Sequence, residues 1–129
     1  QEWRRPGGPD PVTLHYATDP ADTRNRAFAA LGYADIVLVN PTWDGLNMVA
    51  KEAAALNDTS KILLSRTAGA YEHLAPFVTA LDACDVTGTA DAIEAALVGR
   101  TPAAGRAATD SLDAAGWLAA VRPPCDSAL

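Results

Sequence analysis

Hydrophobic and polar positions divide the chain into short alternating runs of two periods. Val12-Thr13-Leu14-His15-Tyr16 alternates among β-prone residues and predicts a strand. From Asp22 to Leu31 the apolar positions Ala27, Phe28, Ala30 and Leu31 fall on one helical stripe, with Gly32 as a stop. Ile36 to Val39 is continuously apolar and β-branched, as expected of a parallel strand covered on both faces and lying inside the sheet. A helix over Asn47 to Leu56 and a strand over Lys61 to Leu64 follow. Gly69 to Leu74 reads as a short helix, Phe77 to Leu81 as a short strand, and Thr87 to Val98 as a helix with Ala92, Ile93, Ala96 and Leu97 inward. The order βαβαβα defines an α/β fold with a Rossmann-like parallel sheet.

The ends of the chain differ from this middle. Pro6, Gly7, Gly8, Pro9 and Pro11 make residues 1–11 an irregular lead-in. After Thr101-Pro102 an Ala-rich helical stretch carries Leu112, Trp117, Leu118 and Val121 until Pro123 and Pro124 end it, leaving residues 123–129 as a tail. The domain is therefore placed at residues 12–122. A length of 129 residues with 49% hydrophobic content suits one core.

Charge narrows the partners. A formal net charge of −6 disfavours nucleic acid and anionic membrane surfaces, which call for clustered Lys and Arg. No apolar run approaches the roughly 20 residues of a membrane span. Cys84 and Cys125 share no metal-ligand or redox spacing, which predicts a reduced, cytoplasmic setting. His15 and His73 lack metal-ligand companions, and Ser65, His73 and Asp85 lack a nucleophile-elbow sequence, so neither a metal nor acyl-transfer chemistry is expected. No cofactor is expected either.

The chemistry concentrates where the Ile36–Val39 run ends. Asn40-Pro41 leads through Trp43-Asp44-Gly45-Leu46-Asn47 into the next helix, so free backbone N–H groups at Met48 and Val49 face the crevice beyond a strand end. There the positive end of the helix dipole favours a diphosphate. Locally, Asp44-Gly45 also reads as a tight turn, Asn47 as a helix cap and Glu52 as a solvated helix carboxylate. Arg66, in the turn after the next strand, is expected to reach solvent.

Ala34-Asp35-Ile36-Val37-Leu38-Val39 running into Asp44-Gly45-Leu46-Asn47-Met48-Val49-Ala50-Lys51-Glu52, then Leu63-Leu64-Ser65, Ala68-Gly69-Ala70, Glu72 and Leu74, resembles the C-terminal half of the trehalose-6-phosphate synthase family. The resemblance continues more weakly through Asp82-Ala83-Cys84-Asp85 and Ala90-Asp91-Ala92-Ile93 to Trp117. It implies part of the C-terminal domain of a two-domain GT-B glycosyltransferase, and with the Gln1-Glu2-Trp3 start the chain reads as a piece of a longer protein.

The resemblance further implies a nucleoside-diphosphate sugar donor, UDP-glucose or a GDP-linked sugar, and a phosphosugar acceptor bound through an N-terminal domain. Transfer would retain anomeric configuration without a metal. Asp44 and the backbone of Gly45, Leu46 and Asn47 would hold the sugar hydroxyls, Met48 and Val49 the diphosphate, and Glu52 the ribose diol. The family's diphosphate-neutralising Arg and Lys lie upstream of the matched region, so the isolated chain is expected to be inactive. A pseudo-glycosyltransferase joining a nucleotide-activated cyclitol to an amino-cyclitol phosphate stays open, as does a non-catalytic nucleotide-sugar-binding module. If the Trp117 helix packs on another domain, the chain alone would expose an apolar patch and could form a homo-oligomer.

Overall fold

The computed structural model describes Val12, residues 19–105 and Ala108. The expected strand at Val12–Tyr16, the Trp117 helix, Cys125 and both terminal segments lie outside the described residues apart from Val12 itself.

The elements run α1 (Pro20–Tyr33), β1 (Ile36–Val39), α2 (Met48–Leu56), β2 (Lys61–Ser65), α3 (Tyr71–Leu74) continued by a 3-10 turn (Ala75–Phe77), β3 (Thr79–Leu81) and α4 (Val86–Leu97). The three strands among the described residues form a parallel sheet in the order β1-β2-β3, with Val37 opposite Ile62 and Leu64 opposite Ala80. This is an α/β layer structure of the kind found in part of a Rossmann-like domain.

Two buried clusters show how the sheet is covered. On one face Val37, Val39, Ile62 and Leu64 pack with Ala50, Ala53 and Ala54 of α2 and with Leu74. Three alanines on one stripe let α2 lie close to the strands. On the other face Leu63 and Leu81 meet Ala96 of α4, with Ile36, Ala92 and Ile93 around them. Ile62, Leu63, Leu64 and Leu74 are fully enclosed, and each such side chain stabilises the fold by about 1.5–3 kcal/mol.

This arrangement corrects the expectation for Ile36–Val39. The run is a parallel strand, but the strand buried along both faces is β2, where residues 62–65 are all buried. In β1 the burial alternates, and Leu38 is 47% exposed because α4 covers the sheet as far as Ile36 and leaves Leu38 outside the cluster. Leu97 is likewise exposed rather than inward, and Ala96 takes the buried position at the end of α4. Phe77 belongs to the 3-10 turn, so β3 starts at Thr79.

The boundaries follow from local chemistry. Asp19 caps α1 by accepting from the Ala21 N–H at 3.1 Å, with Pro20 at the first helical position. The helix begins two residues before Asp22 and runs past Gly32, which does not take a left-handed conformation. What ends α1 is remote in sequence: Asn57 Nδ2 donates to the carbonyls of Gly32 and Ala34, each at 3.2 Å. The stripe expected on α1 is correspondingly shallow, with Phe28 and Leu31 half-buried and Ala27 and Ala30 exposed. Asp85 caps α4 through the Gly88 N–H at 2.9 Å, and at the other end Lys61 Nζ donates to the Ala96 carbonyl at 2.8 Å.

Candidate functional site

Parallel strands send all their carboxyl ends to one side of the sheet, so the segments following β1 and β2 meet there. Residues 40–47 link β1 to α2, and residues 66–70 link β2 to α3. The two segments are joined by a parallel bridge between Asp44 and Ala68. Asp44 N donates to the Thr67 carbonyl at 3.4 Å, and Gly69 N donates to the Asp44 carbonyl at 3.2 Å. A tight turn at Asp44-Gly45 is thus only part of the picture, because the loop is fastened to its neighbour.

Within the loop, Asn47 organises both ends. Its Oδ1 accepts from the Ala50 N–H at 3.0 Å, which caps α2, and its Nδ2 donates to Asp44 Oδ2 at 2.6 Å. Asn47 reaches both groups from a left-handed backbone, φ 44°, the one non-glycine residue with positive φ among the described residues. Asparagine is one of the few residues that enters this region readily. The Asp44 carboxylate is thereby held with one oxygen engaged and Oδ1 left without a partner among the described residues.

The helix start supplies the complementary groups. Met48 and Val49 are the first residues of α2, and their backbone N–H groups find no hydrogen-bond acceptor among the described residues. Both residues are about half exposed, at 50% and 47%. Leu46 and Gly45 are exposed as well, and a side chain added at Gly45 would meet only open space. Glu52 lies one turn beyond Met48 on the same helix, half-buried, and its carboxylate makes no hydrogen bond or ion pair among the described residues.

The structure therefore brings Asp44, Gly45, Leu46, Asn47, Met48, Val49 and Glu52 together along one loop and helix. Sequence reasoning missed the brace behind them. Thr67 and Gly69 of the neighbouring segment bond the loop directly, and Ser65 at the end of β2 bonds Thr67; two hydroxyl residues two positions apart at a strand end were the available signal. Arg66 is exposed as expected and rests over the Tyr71 ring, with Nη1 donating to the Tyr71 hydroxyl at 2.9 Å. A depression of about 300 Å³ lined by Arg26, Ala29, Ala30 and Tyr33 sits on α1 and shares no residue with the loop. No group of three or more potential metal-ligating side chains occurs among the described residues, and no helix among them is long and apolar enough to cross a membrane.

An open parallel α/β sheet flanked by helices defines the Rossmann-like class, and comparison with known sequences narrows it. The model for glycosyltransferase family 20 matches residues 7–109. The chain belongs to glycosyltransferase family 20. It is 37% identical over 89 residues to the bifunctional trehalose-6-phosphate synthase/phosphatase of Thermoproteus tenax, covering 67% of the chain and 12% of that protein. Over 92 residues it is 34% identical to the validamine 7-phosphate valienyltransferase of Streptomyces hygroscopicus subsp. jinggangensis, covering 70% and 18%. Over 86 residues it is 36% identical to the trehalose-6-phosphate synthase of Mycobacterium avium, covering 65% and 17%. The matched region thus amounts to between 12% and 18% of these relatives.

Proposed function

We propose that this chain forms the sugar-donor-binding part of a retaining glycosyltransferase that uses a nucleoside-diphosphate sugar, UDP-glucose or a GDP-linked sugar, with a phosphosugar acceptor. The observation that carries the reading is the loop from Asp44 to Asn47 running into an α2 terminus whose first two N–H groups have no partner among the described residues. The Asp44 carboxylate, fixed by Asn47, and the backbone of Gly45, Leu46 and Asn47 suit sugar hydroxyls. The Met48 and Val49 amides suit the diphosphate, where anion and helix dipole attract. Glu52, one turn deeper, suits the ribose diol. This division of labour places the reacting sugar over the loop and the nucleotide along α2.

A second reading stands on the match to the valienyltransferase at 34% identity, comparable with the matches to the synthases. In it the same loop holds a nucleotide-activated cyclitol for coupling to an amino-cyclitol phosphate. Both readings place the nucleotide on α2, and they differ in what lies against Asp44.

Titration of the 129-residue chain with UDP-glucose, GDP-glucose and UDP, followed by amide NMR, tests the proposal. Shifts centred on residues 44–52 with a nucleotide sugar are expected, without turnover. Shifts absent from that segment at saturating ligand, or centred on the α1 depression, would remove it.

A further inference from the structure

The turn after β2 contains a hydrogen-bond relay whose direction the chemistry fixes. Ser65 is fully buried at the end of β2. Its Oγ accepts from the Thr67 N–H at 3.2 Å and lies 2.6 Å from Thr67 Oγ1. Thr67 Oγ1 is also 3.0 Å from the Pro41 carbonyl oxygen. A carbonyl can only accept, so Thr67 gives its single hydroxyl proton to Pro41. The Ser65 hydroxyl must then donate to Thr67 Oγ1. A directed chain of bonds runs from the buried end of β2, through one hydroxyl, to the root of the 40–47 loop.

Packing does not account for Thr67, because the residue is exposed while its polar atoms are engaged. Its carbonyl, moreover, takes the Asp44 N–H, and two residues later Gly69 N returns a bond to the Asp44 carbonyl. Thr67 therefore touches the loop twice, at Pro41 by side chain and at Asp44 by backbone.

We propose that Thr67 is a positioning residue: its hydroxyl, oriented by Ser65, holds the 40–47 loop in the geometry that presents Asp44 and the α2 terminus to a nucleoside-diphosphate sugar. The proposal rests on the sugar-donor reading above. It goes beyond that reading by placing control of the site in a residue that meets no ligand.

The test compares the 129-residue chain with Thr67→Val, Thr67→Ser and Ser65→Ala. Hydrogen exchange of the Gly69 amide reports the brace without ligand, and calorimetry with UDP-glucose, GDP-glucose and UDP reports binding. Thr67→Val is expected to speed Gly69 exchange and to weaken the preferred sugar nucleotide about two- to tenfold, the loss of one ordinary hydrogen bond, with a smaller effect on UDP. Thr67→Ser should restore both readouts. Ser65→Ala should shift both in the same direction as Thr67→Val, and it carries the test if the valine variant fails to fold. Wild-type exchange and affinity in Thr67→Val, or failure of Thr67→Ser to restore them, would overturn the proposal. If the unmodified chain bound no sugar nucleotide, the sugar-donor reading would fall, and Gly69 exchange alone would still decide whether Thr67 sets the loop.

Discussion

The carbonyl oxygen of Gly45 occupies the space that a side chain on Gly69 would fill. The overlap is with backbone, not with the end of a flexible side chain, so it cannot be relieved without moving the loop. Gly69 is glycine because another backbone passes against it. Gly45 itself faces open space, which makes the two glycines unequal despite their proximity.

Gly69→Ala should accordingly displace the 44–46 backbone and destabilise the chain by about 1–3 kcal/mol, the usual range for forced overpacking. Gly45→Ala should cost far less stability. Paired thermal or denaturant unfolding curves check the difference, and equal losses would contradict the geometry.

Asp44 and Glu52 should separate in binding. Glu52→Ala is expected to cost on the order of 1.5–3 kcal/mol for both the sugar nucleotide and the free nucleoside diphosphate, as for hydrogen bonds involving a charged group. Asp44→Ala should weaken the sugar nucleotide and spare the diphosphate. Calorimetry resolves the two patterns; a uniform loss in the Asp44 variant would dissociate that residue from the sugar.

Asn47 holds a helix cap from a left-handed backbone. Replacement by Ala removes the cap, worth about 1 kcal/mol, and leaves a side chain in a disfavoured conformation. Asn47→Gly also removes the cap but meets no conformational penalty. The glycine variant should be the more stable of the two in chemical denaturation, although both lose the bond that orients Asp44.

Leu64→Ala, in the middle strand, should destabilise by about 2–5 kcal/mol because the site is enclosed on α2's side of the sheet. Leu38→Ala, at a half-exposed position of β1, should fall well below that range. Equilibrium unfolding of the pair measures how far burial differs between the strands.

Much of the fold was legible because its signals are local. The apolar run at Ile36–Val39, the helix over Asn47 to Leu56 and the capping residue Asn47 mark their elements within a few positions of sequence. Which strand lies innermost was not legible, since Ile36-Val37-Leu38-Val39 and Ile62-Leu63-Leu64 are equally apolar and only the placement of α4 distinguishes Leu38 from Leu63. Gly32 misled for a similar reason. A glycine near a helix end suggests a left-handed stop, yet the carbonyls there are satisfied by Asn57, 25 residues away in the sequence. The loop and helix that carry the candidate residues could be read directly, whereas the brace from Thr67 and Gly69 depends on two loops meeting across a parallel sheet, which no periodicity encodes.

Asn57 has one more consequence, in the order in which the molecule comes apart. No residue of α1 is buried; among the described residues, half-buried side chains such as Leu31 and the two carbonyl bonds from Asn57 help to hold it. The same side chain accepts from the Thr59 N–H and hydroxyl, tying the start of the β2 approach to the end of α1. On heating, α1 should detach as a unit while the sheet with α2 and α4 persists. Substituting Asn57 would lower the free energy of that first opening more than that of the second, moving the two melting steps further apart.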